Sequence, residues 1–122
     1  MQKNNHILDS LQKLKLQRES LVESLIRTEA LTVATMHESR RRCGKPGCYC
    51  VEKPGHLQTI LMSVSEGRRR CQVVRQADVD TVRQSVAKYR DFKTGLSTLK
   101  AIDTKVLALL KQLMRQRDKP YE

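Results

Sequence analysis

The sequence predicts a mainly α fold with a small β-hairpin: two long helices in an antiparallel, coiled-coil-like pair, with a cysteine-rich turn region and the hairpin at their tip. Three observations lead there. Apolar residues recur at three- and four-residue steps in the first and last thirds of the chain. Five of the eight glycines and prolines fall between positions 44 and 55, where a helix cannot continue. β-Branched residues then flank a Glu66-Gly67 pair, which is hairpin chemistry. The 122 residues suffice for a single domain, 1–122, with a modest core. With no tryptophan and only Tyr49, Tyr89, Phe92 and Tyr121 as aromatics, that core is aliphatic.

A first helix is expected at about 5–39. Ile7, Leu11, Leu14, Leu21 and Leu25 form its stripe, with Leu8 and Val22 beside it. Arg18 occupies one stripe position and Thr28 continues the pattern weakly. Glu23 and Arg27 stand at a favourable i,i+4 spacing. Residues 40–56 follow as a compact turn region.

A hairpin is expected at 57–75. The two-residue Glu66-Gly67 link sets Ser65 opposite Arg68, Met62 opposite Cys71 and Ile60 opposite Val73. One face then carries Ile60, Met62, Val64, Cys71 and Val73, and that face is expected to pack on the helices. The last helix is expected at 78–116. Asp78 suits its N-cap and Asp80 the positive end of its dipole. Its stripe runs from Val79 through Val86, Phe92, Leu99 and Ile102 to Leu113, and it keeps phase across Gly95, a candidate kink. Neither helix alone can bury its stripe, so a homodimer through the helices is a further expectation.

Net charge is +11 and unevenly spread. Residues 1–39 are neutral, whereas residues 40–75 hold nine Lys or Arg against two Asp or Glu. Arg40, Arg41 and Arg42 precede the cysteines, Lys45 lies among them, and Arg68, Arg69, Arg70 and Arg75 follow. Such clustering favours a polyanionic partner bound through its phosphates, with duplex DNA or structured RNA expected. So few aromatics exclude an extended stacking platform for single strands, although Tyr49 is placed to stack on one base. The bland alternative is a solvated face, with Arg40–Arg42 complementing a helix C-terminus.

The motif Cys43-Gly-Lys-Pro-Gly-Cys-Tyr-Cys50 carries the chemistry. No apolar run approaches the roughly 20 residues needed to span a bilayer. No apolar signal segment follows the N-terminus, so no membrane association and a cytoplasmic location are expected. Thiols stay reduced in that compartment, and three cysteines within eight residues then point to metal. Zinc takes four tetrahedral N or S ligands. Cys43, Cys48 and Cys50 supply three, in one structural zinc knuckle per chain. The fourth is His56, just past a Pro-Gly turn, with Cys71 as the alternative. Cys71 falls on the apolar hairpin face, where a free cysteine behaves as a small hydrophobe.

The motif resembles that of a family of small uncharacterised bacterial and archaeal proteins often encoded near transposases. Their mark is CGKPxCxC, then a histidine, a short β segment, a basic stretch and a helix with aromatics near its start. Here these are Cys43–Cys50, His56, Arg68-Arg-Arg70 and Lys88-Tyr-Arg-Asp-Phe92, within about residues 40–100. The resemblance implies Cys43, Cys48, Cys50 and His56 as recurring positions and leaves Cys71 outside. The family's His-Gly-Pro-Tyr run is Gly55-His-Leu-Gln58 here.

No Ser/His/Asp set, phosphate loop or paired carboxylate is present, and four protein ligands leave zinc no open position for water, so no enzyme is expected. The expected function is a zinc-stabilised, basic nucleic-acid-binding or accessory protein of a mobile element. The alternatives are a coiled-coil protein-interaction module and a thiol redox sensor built on Cys48 and Cys50.

Overall fold

The structure, a computed structural model, describes residues 2–41 and 55–121. Helix α1 (Gln2–Ile26) is followed by strands β1 (Thr35–Arg41), β2 (His56–Ser65) and β3 (Arg68–Val74), a 3₁₀ turn (Gln76–Asp78), and helix α2 (Val79–Gln116). The strands form one antiparallel sheet in the order β1-β2-β3. The chain divides into two compact units, residues 1–28 with 91–122, and residues 29–90.

This corrects the expected fold class. The long-helix pair with a hairpin at its tip is replaced by two helices separated along the chain by a three-stranded sheet. The first helix ends at Ile26 rather than continuing to about 39. After Leu25 the stripe positions are Thr28, Thr32, Thr35 and Ser39, which offer nothing apolar to bury. Arg27 N donates to Glu23 O (3.1 Å) and Thr28 N to Leu25 O (3.2 Å), tightening the last turn. Thr32, Val33 and Thr35 are β-branched, and the segment enters the sheet instead, where Thr35–Arg41 pairs with His56–Met62. Of the zinc-knuckle turn region expected at 40–56, residues 42–54 lie outside the described residues, while Arg40 and Arg41 close β1 and His56 opens β2.

In the unit of 1–28 and 91–122, Ile7 and Ile102 are buried. Arg18, the charged residue in the apolar stripe, joins Asp103 through Nε–Oδ1 at 2.8 Å. Both side chains are about half exposed, so the pair fixes register more than it adds stability. α2 is continuous through Gly95, with no break there. Gly95 is buried against Leu25, and a Cβ would lie 2.7 Å from Leu25 Cδ2. Close approach thus explains a mid-helix glycine that costs about 1 kcal/mol in propensity. Gly95→Val is expected to destabilise the protein by about 1–3 kcal/mol in urea melts, and Leu25→Ala in the same chain should recover part of that loss. Equal losses in both backgrounds would show that the contact is unimportant.

In the unit of 29–90, β2 and β3 are joined by Glu66 (φ 52°) and Gly67 (φ 77°). Two positive φ values in a two-residue loop are the type I′ turn that suits the strand twist. Ser65 pairs with Arg68, Met62 with Cys71 and Ile60 with Val73. The expected packing face needs correction. Ile60 is 6% exposed, yet Val64 and Val73 on its face are 68% and 60% exposed, and Cys71 is exposed. The first half of α2 lies on the other face. Val86 (3% exposed) and Ala87 share a groove with Met36 and buried Thr59, which alternate with Ile60 across the sheet. Ala34 and Val79 are also buried, Thr32 N donates to Ser85 O (3.1 Å), and Arg83 Nη2 meets Glu38 Oε1 at 3.5 Å.

Candidate functional site

Three strands are present only up to Met62, the partner of Thr35, the first residue of β1. Beyond it, β2 and β3 continue as a two-stranded arm through the pairs Ser63–Arg70, Val64–Arg69 and Ser65–Arg68 to the Glu66-Gly67 turn. Every residue from Val64 to Val73 is exposed, so the arm stands clear on both faces. Among the described residues, Arg68, Arg69 and Arg70 are in no ion pair, and Glu66 is the single acidic residue of the arm.

Strand alternation sorts the arm chemically. Ser63, Ser65, Arg68 and Arg70 share one face, and Val64 and Arg69 the other. The first face is wholly polar and rich in hydrogen-bond donors. The sequence alone sets out this alternation, but not that β1 stops short and leaves the arm bare.

The predicted basic residues therefore fall into two groups. Arg40 pairs with Leu57 at one end of β2, and Arg70 with Ser63 near the other, six residues along the strand. At about 3.3 Å per residue Arg40 and Arg70 are roughly 20 Å apart along the strand. Arg40 is also committed locally, with Nη1 donating to Gly55 O at 3.3 Å. Arg75 is exposed and follows Val74, the partner of Thr59, at the Arg40 end. Arg42 and Lys45 lie outside the described residues. The grouping is hidden in the sequence, which shows two similar arginine runs but not which end of β2 each one meets.

Of the predicted metal ligands, Cys43, Cys48 and Cys50, with Tyr49 between them, also lie outside the described residues. His56 is the first residue of β2 and pairs with Arg41. The connection carrying the cysteines thus leaves the sheet and returns to it at neighbouring positions. Cys71 pairs with Met62, six residues along β2 from His56. Among the described residues no group of three or more His, Cys, Asp or Glu is placed to hold a metal. His6 and His37 are exposed.

Two further features escape a reading by sequence pattern. Ser39 and Gln58 are cross-strand partners two residues from the Arg41–His56 pair, and Ser39 Oγ and Gln58 Oε1 are buried without a hydrogen-bond partner among the described residues. Such an unmade bond costs about 1–3 kcal/mol. The groove at Thr59, about 460 Å³, has an apolar floor of Met36, Val86 and Ala87 with Glu38, Arg83 and Arg90 at its rim. Its sequence signal is slight, a threonine between Gln58 and the apolar run Ile60-Leu-Met62.

None of the described helices is long and apolar enough to cross a membrane. Residues 11–84, more than half of the chain, match the model of a family described as a domain of unknown function, DUF6788. No curated protein and no solved structure matches the chain.

Proposed function

The chain belongs to the DUF6788 family, a domain of unknown function, and from that premise we propose that it binds nucleic acid through the basic β2–β3 arm and carries one structural zinc ion per chain. The arm is the observation that carries the reading. Three consecutive arginines, unpaired among the described residues, project from a strand pair exposed on both faces. A solvated basic face on a helix needs no partner. A narrow basic arm buries little of its own surface, and its extension is better explained by reaching a phosphate backbone.

Zinc enters the proposal through the donor set and its anchorage. Cys43, Cys48 and Cys50 lie in the connection between the paired residues Arg41 and His56, with His56 at the point of return. Three thiolates and one imidazole suit tetrahedral zinc with bonds of about 2.0–2.3 Å. His56 and Cys71, roughly 20 Å apart along the sheet, cannot serve the same ion. His56 is the fourth ligand of this proposal. Gln58 Oε1 and Ser39 Oγ lie on its face of the sheet as buried acceptors of the kind a metal-bound imidazole uses to orient its second N–H. Zinc would cross-link the connection to the foot of β2 and takes no part in chemistry.

The test is binding of the full chain to a labelled duplex over a salt series. Each phosphate neutralised contributes about 0.9 to the slope of log K against log salt. Changing Arg68, Arg69 and Arg70 to Ala together should flatten the slope, by about 0.9 for each of them that neutralises a phosphate, and weaken binding at low salt. An unchanged slope, or no binding by the wild type at low salt, would remove the proposal.

A further inference from the structure

Resting on the nucleic-acid reading, we infer that the partner is duplex DNA and that the β2–β3 arm lies in its major groove with the Ser63, Ser65, Arg68 and Arg70 face toward the base edges. Shape comes first. The major groove of B-DNA is about 12 Å wide and about 8.5 Å deep, and it admits a two-stranded β-ribbon. The arm is such a ribbon. Among the described residues its strands are hydrogen-bonded to each other alone beyond Met62, and three ladder steps carry it about 10 Å from there to the turn. A third strand along those steps would make the ribbon too broad, and β1 starts at Thr35, before that point is reached. Duplex RNA presents a deep, narrow major groove that side chains cannot read, so the same arm has no equivalent seat there.

The chemistry of the two faces then fixes the orientation. Arginine pairs with the O6 and N7 of guanine, and serine with several base edges. Arg68, Arg70, Ser63 and Ser65 all occupy one face. The opposite face of the arm has Val64 and a single arginine, Arg69, which is left to meet a phosphate. Glu66 and Gly67 close the end of the ribbon in a two-residue turn.

The experiment compares the full chain on a DNA duplex and an RNA duplex of the same sequence pool at one fixed salt concentration, with a major-groove and a minor-groove ligand as competitors. The DNA duplex should bind about tenfold tighter or better, and the major-groove ligand alone should displace the protein. Arg68→Ala with Arg70→Ala should abolish the DNA preference, whereas Arg69→Ala should weaken both duplexes alike. Arg70→Ala alone should relax any base preference by about 5- to 100-fold at one position. Equal or tighter binding to RNA, or displacement by the minor-groove ligand, overturns groove insertion and leaves phosphate binding standing. Failure to bind either duplex overturns the underlying nucleic-acid reading as well.

Discussion

Val86→Asp should abolish cooperative folding of the unit formed by residues 29–90, while Val64→Asp should leave the melting curve almost unchanged. Val86 is 3% exposed and stands opposite Thr59 and Met36 across the groove. The new carboxylate would be buried, and leaving a buried charge unpaired costs about 3–5 kcal/mol. Arg83 and Arg90 line the same groove, but Arg83 already meets Glu38 at 3.5 Å, so drawing it onto the new carboxylate would disturb an existing pair. A small domain holds only about 5–15 kcal/mol in total, and among the described residues of this unit the buried hydrophobic side chains are Ala34, Ile60, Val79 and Val86. Val64 is β-branched like Val86 but 68% exposed on the arm, so a charge there remains in water. Circular dichroism melts of the two variants check both the depth of Val86 and the choice of sheet face. Equal destabilisation by both would place the packed face on the wrong side of β2.

Metal removal carries the second large effect. Purified protein should hold one zinc per chain by elemental analysis. Stripping it with a strong chelator should lower the melting temperature and make the connection between β1 and β2 the first site of proteolysis. Structural zinc contributes apparent binding free energies of about 10–16 kcal/mol in small finger peptides. The sheet here has contacts of its own, so only part of that is lost on chelation. His56→Ala should lose or weaken the metal, and Cys71→Ser should retain it. The reverse pattern would move the fourth ligand to Cys71 and contradict the spacing between Cys71 and His56 along β2. Zinc should also resist mild oxidants, which separates a structural site from a redox sensor built on Cys48 and Cys50.

How far the fold is legible in the sequence depends on whether the deciding interaction is local. The Glu66-Gly67 turn fixes the pairing of the residues beside it, and the register from Ser65–Arg68 to Ile60–Val73 follows from the turn alone. The α2 stripe is long enough to carry a helix across Gly95, and only Leu25 on the other helix explains why glycine is there. β1 is illegible because it exists through its pairing with β2. Thr35–Arg41 has one apolar residue, Met36, and it becomes a strand by filling an edge that β2 provides. For the same reason Arg40 and Arg41 read as a helix end although they close a strand. The packed face is misread because the Ile60 face is the more apolar in sequence, whereas α2 covers the Thr59 face. The site is half legible: the arginines are identifiable by charge, and their division into two groups requires the third strand.

The outer position of β3 bears on self-association. Its far edge pairs with no other strand among the described residues, and an open edge is a template for further sheet growth from another molecule. Consecutive arginines are an effective guard, since a second copy aligned along that edge would bring six guanidinium groups together without counter-charge. Arg68, Arg69 and Arg70 therefore protect solubility with the same charge that attracts a polyanion. Neutralising all three would weaken binding and uncover the edge together, so the alanine triple variant should be kept dilute and its size measured by light scattering beside every binding curve.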